Sequence, residues 1–283
     1  MKIPDNTKIQ SADLRVRNLK NSLNFYSNLL GLGEIERGED YSLLSANGKN
    51  PYLIRLVEDK NAKPRSPNTT GLFHIAFRFP NRKELARVFM RLFNNKIKFQ
   101  GFSDHLVSEA IYLPDPEGNG IELYADKSRE TWNWKLGQVL MDSLPLDLSV
   151  ITKELGDPQI WNGIHPEVYI GHIHLKVSNL FKAEKFYNDI LGFNVTNTLF
   201  PGALFLSAGG YHHHIGANVW SSNNGNPPDK NSLGLINYTI KIPDQSFLNL
   251  IEAKANVSKV SVVTEEGTLC IQDFDNTKIK LTL

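Results

Sequence analysis

The feature that most constrains the fold of this chain is an internal repeat. Residues 9–32 (IQSADLRVRNLKNSLNFYSNLLGL) align with residues 170–193 (IGHIHLKVSNLFKAEKFYNDILGF) at a constant offset of 161, and nine of the 24 positions are identical. Residues 71–85 align with residues 234–248 at an offset of 163. Because the two offsets are nearly equal, the two halves of the chain are interpreted as copies, each with two modules.

Each module has the same predicted order of elements. An alternating stretch such as ADLRVRN or HIHLKVS predicts a half-buried strand, and a stretch with helical spacing of its apolar residues follows it. In the first module this helix runs from Leu19 to Leu30, and Gly31 suits the left-handed position after a helix. Three further strand-like runs complete a βαβββ unit, which predicts an α+β protein.

The four modules are predicted at residues 7–58, 71–126, 168–220 and 233–283. The first half is accordingly 1–126 and the second half 168–283. Residues 127–167 form a polar connector with a helical stretch near 144–155.

The composition excludes several classes of function. The 31 Lys and Arg nearly cancel the 30 Asp and Glu, so no electrostatic footprint for nucleic acid or an anionic membrane is present. Cys270 is the single cysteine, which excludes an intrachain disulfide. No stretch approaches the ~18 apolar residues of a membrane span, and the N-terminus lacks an apolar signal core. We therefore expect a cytoplasmic protein.

Two histidines and one glutamate are candidate metal ligands. His74 lies in the first strand of the second module, His172 in the first strand of the third, and Glu122 in the last strand of the second. Two imidazoles and one carboxylate, with open positions for water and substrate, are the ligand set of non-haem Fe(II). Taken singly, each His could be a hydrogen-bonded core residue and Glu122 a solvent-facing one. A shared metal site is favoured because His74 and His172 hold equivalent places in their modules and Glu122 ends one of those modules.

The run GGYHHHIGANVW holds His212, His213 and His214. If it is a strand, alternation directs His212 and His214 to one face and His213 to the other. A histidine near a metal-bound oxygen could act as a general acid or base. The alternative is a surface cluster, but the apolar flanks favour a partly buried strand. The sequence does not decide which of the three matters most.

At these residues the chain resembles a known family. GLFHIAF, DHLVSEAIYLPDPEGNGIELY, GHIHLKV and GGYHHHIGANVW together resemble bacterial catechol 2,3-dioxygenases of the glyoxalase/bleomycin-resistance/extradiol-dioxygenase superfamily, and the resemblance covers nearly the whole chain. It implies the vicinal oxygen chelate fold, in which modules pair into barrel-like domains, and Fe(II) as cofactor, with Mn(II) as the alternative. It further implies Glu122 and His172 as ligands, Tyr112 as a substrate contact and His214 as the acid–base residue.

One departure from the family pattern affects the ligand set. The family usually takes its second His and its Glu from the fourth module, where this chain has Asn237 and Lys280, and Ser11 stands opposite His172. Neither half can therefore build the triad alone. If the second module pairs with the third, His74 and Glu122 meet His172 around one centre, and modules one and four form a metal-free pair.

The predicted function is an extradiol ring-cleaving dioxygenase that acts on a catechol-type substrate with O2. His214 would handle protons, and Tyr112 would hydrogen-bond a substrate hydroxyl. His105 is the third candidate catalytic residue, which could line the pocket or instead cap a loop. The alternatives are a glyoxalase-like isomerase or thiol transferase on the same fold, and a non-catalytic small-molecule binding protein. The expected partners are an aromatic diol and O2, without nucleic acid or membrane, and the chain could form homo-oligomers.

Overall fold

The computed structural model describes residues 1–155 and 160–283 and contains four consecutive βαβββ modules. The strands of the four modules are β1 (Lys8–Val16), β2 (Gly33–Arg37), β3 (Tyr41–Ser45) and β4 (Ile54–Glu58); β5 (Gly71–Phe79), β6 (Gly101–Asp104), β7 (Ser108–Pro114) and β8 (Gly120–Asp126); β12 (Tyr169–Lys176), β13 (Asn194–Asn197), β14 (Ala203–Ser207) and β15 (Ile215–Asn218); and β16 (Gly234–Lys241), β17 (Val262–Glu265), β18 (Thr268–Gln272) and β19 (Lys278–Thr282). The connector adds β9 (Trp134–Lys135), β10 (Gln138–Val139) and β11 (Leu144–Pro145).

One helix follows the first strand of each module. The α-helices are α1 (Leu19–Leu23), α2 (Arg82–Asn94), α3 (Leu148–Lys153) in the connector, α4 (Leu180–Glu184) and α5 (Gln245–Val257). The π-helical turns Asn24–Leu29 and Lys185–Ile190 extend α1 and α4, and Arg129–Thr131 forms a 3-10 turn. Among the described residues, no helix is long and apolar enough to span a bilayer.

The modules pair across the two halves of the chain. One sheet has the order β17-β18-β19-β16-β1-β4-β3-β2, and the other has the order β11-β6-β7-β8-β5-β12-β15-β14-β13. Module one therefore joins module four through the antiparallel pair β1–β16, and module two joins module three through β5–β12. The predicted fold class of paired modules is confirmed, and so is the predicted pairing of modules two and three.

The two copies of the repeat share a helical irregularity that the apolar spacing does not predict. In both, the helix widens to a π-turn, closed by Leu30 N–H donating to the carbonyl of Phe25 and by Leu191 N–H donating to Phe186. Gly31 and its equivalent Gly192 both adopt φ of 85°, the left-handed conformation predicted after the helix.

A buried tyrosine in each π-turn ties the helix of one module to a turn of the next. Tyr26 OH donates to Asp115 Oδ2 at 2.9 Å, and Tyr187 OH donates to Asp273 Oδ2 at 2.9 Å. Asp115 also accepts the backbone N–H of Asn119 within the DPEGN turn. The DPEGN turn thus fastens adjacent modules together.

Asp273 is expected to make folding stability depend on pH. Burial raises the pKa of this carboxyl to about 6, and the nearby charge of Asp275 adds to the effect. In the unfolded chain the pKa of an aspartate is about 3.9, so the folded state binds this proton more tightly. The protonated Asp273 therefore contributes its full stabilisation of the folded state below about pH 4, and this contribution is lost as the pH rises through 6. The loss amounts to about 3 kcal/mol at most, at ~1.4 kcal/mol per pKa unit.

Urea unfolding of wild type and Asp273→Asn at a series of pH values checks this expectation. The amide cannot ionise, so the free-energy difference between the two proteins should shift in favour of the variant between pH 4 and pH 7. Asp229→Asn, at an exposed side chain, is the control and should run parallel to wild type. If the free energy of unfolding of Asp273→Asn changed with pH in parallel with that of wild type, Asp273 would not be the group with the raised pKa.

The connector contains a shorter helix than predicted, and its strand β11 joins the sheet of modules two and three. Its helix covers Leu148–Lys153 rather than 144–155, because Leu144–Pro145 pairs with β6 as a short edge strand. Trp132 and Val139 pack with Tyr211 of the third module. Residues 156–159 of the predicted connector lie outside the described residues. The connector thus adds an edge strand to the sheet formed by modules two and three.

Candidate metal centre

Three neighbouring strands at the junction of modules two and three bring the candidate ligands together. Ala76 of β5 pairs with Glu122 of β8 on one side and with His172 of β12 on the other. His74 lies two residues before Ala76 on β5 and therefore points to the same face. The small side chain of Ala76 leaves the space between the three larger side chains open.

The ligand atoms of these residues converge on one point. The Glu122 Oε2 atom lies 2.9 Å from His74 Nε2 and 3.0 Å from His172 Nε2, and the two Nε2 atoms are 3.3 Å apart. Atoms that bind one ion at about 2.1 Å, at right angles to one another, lie about 3.0 Å apart. The donor set and its spacing therefore fit a six-coordinate divalent metal with three positions left open.

Burial of His172, and the contacts of Glu122 with the facing imidazoles, give these two side chains the protonation states that metal binding requires. It lowers the pKa of His172 to about 4, so the imidazole is neutral at pH 7 and has a lone pair to offer. Burial alone would raise the pKa of Glu122, but the facing imidazoles His172 and His74 outweigh it and hold that pKa well below its usual range. A buried carboxylate needs a counter-charge, which a divalent cation supplies.

Tyr112 and His105 form a hydrogen-bonded pair beside the ligands. Tyr112 faces Glu122 directly across the β7–β8 hairpin. His105 Nδ1 lies 2.7 Å from the carbonyl oxygen of Asp142, which can only accept, so neutral His105 donates from Nδ1. Its Nε2 then accepts from Tyr112 OH at 2.6 Å. Burial, followed by the charge of Glu122, raises the pKa of Tyr112 well above its usual value and keeps the hydroxyl protonated.

A cavity of about 340 Å³ opens over the ligands. This volume is in the range of small-molecule sites. Besides the three ligands, its lining includes Tyr112, His105 and His213, which the sequence offered as candidates, and side chains that were not predicted, namely Phe73, Met141, Ser143, His174, Phe205 and Trp220. The wall is mostly apolar and carries several aromatic side chains, which suits a flat apolar ligand.

The histidine run differs from its sequence prediction. It was predicted as a strand, but residues 211–214 are irregular, with bends at His212 and His214, and β15 begins only at Ile215. The reason lies just before it, where Gly209 and Gly210 adopt φ of 60° and 65° and reverse the chain. Strand alternation therefore does not apply to the three histidines.

The turn directs the histidines to different places. His213 lines the cavity, and its ring centroid lies 4.0 Å from that of His172. His214 lies in a separate cleft beside Tyr211, where its Nδ1 is 3.0 Å from Ser207 Oγ. His212 is fully buried between them. Thus His213, rather than the predicted His214, is the member of the run that faces the candidate metal centre.

His174 is a cavity residue that sequence reasoning missed. It follows His172 by two residues and so shares its face of β12, which is a signal that the sequence HIH contains. Its ring centroid is 4.8 Å from that of His74. Burial lowers the pKa of His174 well below its usual value, and its Nε2 has no hydrogen-bond partner among the described residues.

The equivalent place between modules one and four holds an ion pair. Asn237 occupies the position of His74, and Lys280 occupies that of Glu122 in the repeat. Lys280 Nζ lies 3.5 Å from Asp13 Oδ2, which also accepts from Asn237 Nδ2 at 3.0 Å. The ammonium group supplies here the positive charge that the carboxylate needs. Among the described residues, the one group suited to hold a metal is therefore between modules two and three.

The internal repeat agrees with a comparison of the sequence with known families. The model of the Glyoxalase/Bleomycin resistance protein/Dioxygenase superfamily matches residues 8–123 and 169–271. The chain belongs to this superfamily. The two matched segments correspond to the two halves of the internal repeat, and the connector lies between them.

Individual relatives extend the comparison. A catechol-2,3-dioxygenase from Bacillus subtilis (strain 168) is 39% identical over 273 residues, which cover 96% of this chain and 95% of the relative. Biphenyl-2,3-diol 1,2-dioxygenase 3 from Rhodococcus globerulus is 37% identical over 62 residues, 22% of this chain and 33% of that protein. The solved structure of glyoxalase I from Zea mays has a TM-score of 0.60 at 12% identity and covers 98% of this chain and 92% of that one. At this identity the last likeness concerns the fold alone.

Proposed function

We propose that this protein is an extradiol ring-cleaving dioxygenase that uses a divalent metal held by His74, Glu122 and His172. Fe(II) is the proposed ion and Mn(II) the alternative. The observation that carries the proposal is the convergence of these three ligand atoms within 3.3 Å of one another at the floor of an aromatic cavity. The near full-length similarity to a catechol-2,3-dioxygenase supports the same reaction class.

The proposed substrate is an aromatic 1,2-diol with O2 as co-substrate. A bound ferrous ion would bring the diol and O2 together and stabilise the negative charge of the deprotonated diol. The aromatic wall, which includes Phe73, Phe205 and Trp220, would hold the ring by stacking and exclude water from it.

Tyr112 and His105 would orient the diol. Because neutral His105 donates to a carbonyl through Nδ1, the Tyr112 hydroxyl hydrogen points at His105 Nε2. The oxygen of Tyr112 therefore offers its lone pairs to a substrate hydroxyl. This arrangement favours a protonated diol oxygen next to Tyr112 and leaves the other oxygen to lose its proton.

His213 would take up that proton, the acid–base role first predicted for His214. His213 lines the cavity and packs against the ligand His172, whereas His214 is held in a separate cleft. A neutral imidazole at this place could accept a proton from the diol and return it to the ring-opened product.

Oxygen uptake tests the proposed function. The protein is purified without air, loaded with one equivalent of Fe(II), and mixed with catechol in an oxygen electrode while visible absorbance is followed. We expect one O2 consumed for each catechol, together with a conjugated ring-opened product that absorbs visible light. Stoichiometric metal without oxygen uptake across several aromatic diols would instead favour an isomerase or transferase, and failure to bind metal would favour a binding protein.

A further inference from the structure

A buried chain of hydrogen bonds leads from the end of β8 to the cavity. Asp126 Oδ1 lies 3.0 Å from His212 Nε2, and His212 Nδ1 lies 2.7 Å from His213 Nδ1. His212 is fully buried, and the Asp126 side chain is 7% exposed. Only His213, the last member, reaches the cavity wall.

At the Asp126 end of this series of hydrogen bonds, the roles of donor and acceptor are fixed. Arg78 Nε donates to Asp126 Oδ2 at 2.6 Å, and Tyr211 OH donates to Asp126 Oδ1 at 3.1 Å. Paired with a guanidinium in this way, Asp126 is a carboxylate and can only accept hydrogen bonds. His212 must therefore carry a hydrogen on Nε2.

The hydrogen on His212 Nε2 determines in turn which nitrogen of the His213 ring carries a hydrogen. With its single ring hydrogen on Nε2, His212 has a bare Nδ1, which accepts from its neighbour. The 2.7 Å contact between the two Nδ1 atoms then requires His213 to donate from Nδ1. His213 Nε2 is left without a hydrogen, and it makes no hydrogen bond to any residue that the structure describes.

We propose that Asp126 and His212 are positioning residues that hold His213 as the Nδ1–H tautomer, so that its bare Nε2 is the atom available to the diol. The catalytic consequence rests on the proposed function, whereas the tautomer itself does not. In the opposite tautomer, Nε2 would already carry a hydrogen and could not accept a proton from the substrate.

Asp126→Asn is predicted to reverse the direction of the hydrogen bonds that link residue 126 to His213. Since Arg78 can only donate, the new amide oxygen would face Arg78 and the amide nitrogen would face His212. His212 Nε2 would then accept, its Nδ1 would donate, and His213 would carry its hydrogen on Nε2. Packing volume is unchanged, so the fold and the three metal ligands should be retained.

Two measurements test the proposal. Long-range ¹H–¹⁵N spectra of histidine-labelled protein loaded with diamagnetic Zn(II) report which ring nitrogen carries hydrogen, with His213 assigned by its loss in His213→Phe. We expect Nδ1–H in wild type and Nε2–H in Asp126→Asn. In the Fe(II) protein, Asp126→Asn should lower kcat by about 10- to 1,000-fold at unchanged metal content and nearly unchanged KM.

Tyr211→Phe is the matched control, because it removes the other hydrogen bond to Asp126 Oδ1 but keeps the carboxylate. It should keep the wild-type tautomer. An Nε2–H signal in wild type, or a tautomer that does not change in Asp126→Asn, would overturn the positioning role even if the protein proved inactive on diols. A reversed tautomer with unchanged kcat would overturn its catalytic consequence.

Discussion

Glu122→Gln should abolish stoichiometric metal binding and lower ring cleavage by at least about 100-fold. Loss of a residue that only supports a ligand already costs about 10- to 100-fold in affinity or activity, so loss of the charged ligand itself should cost more. Glutamine keeps the volume of the side chain and can still hydrogen-bond one imidazole, so the sheet should remain folded. Metal content after gel filtration and the initial rate of oxygen uptake measure the two effects.

The control for this variant is Glu252→Gln, an exposed position on α5. It makes the same chemical change far from the junction of modules two and three and should bind one metal ion per chain. If Glu122→Gln bound and turned over like this control, then Glu122 would not be a ligand, and the ion would have to be held elsewhere.

His213→Phe should keep the metal and lose turnover by about 100- to 10,000-fold, the range of a general acid–base group. Phenylalanine preserves the ring contacts with His172 and Phe205 but cannot accept a proton. Metal analysis separates this result from loss of the site. Single-turnover mixing of the anaerobic complex with O2 would place the defect in a chemical step.

His214→Phe makes the same substitution one residue further along the turn. Since His214 lies in the cleft beside Tyr211, this variant should turn over close to the wild-type rate, although loss of the contact with Ser207 should lower its stability. The reverse pattern, with His214→Phe inactive and His213→Phe active, would restore the role first predicted from the sequence.

Much of this arrangement could be predicted because the repeat fixes equivalent positions. Histidines stand at the same strand position of modules two and three, and the usual ligands are missing at Asn237 and Lys280, so a metal site with this ligand set predicts that these two modules pair. The structure has that pairing. Strand register then accounts for the approach of His74, Glu122 and His172, since period two sets the face of each side chain.

The features that the sequence did not predict depend on local backbone geometry and on tertiary contacts. Gly209 and Gly210 take positive φ and turn the histidine run out of a strand, and no alternation pattern reveals that choice in advance. The π-turns carry Tyr26 and Tyr187, whose hydroxyls reach carboxylates in the following modules, a long-range contact that apolar spacing does not encode. The chain of hydrogen bonds from Asp126 to His213 joins residues more than 80 positions apart, so it becomes visible only in three dimensions.

The most direct test of the account is an anomalous diffraction experiment on crystals grown without air in the presence of Fe(II), with data collected on both sides of the iron absorption edge. We expect one iron peak per chain, about 2.0–2.2 Å from His74 Nε2, His172 Nε2 and a carboxylate oxygen of Glu122. No peak at this junction, or a peak between modules one and four next to Asp13, would contradict it.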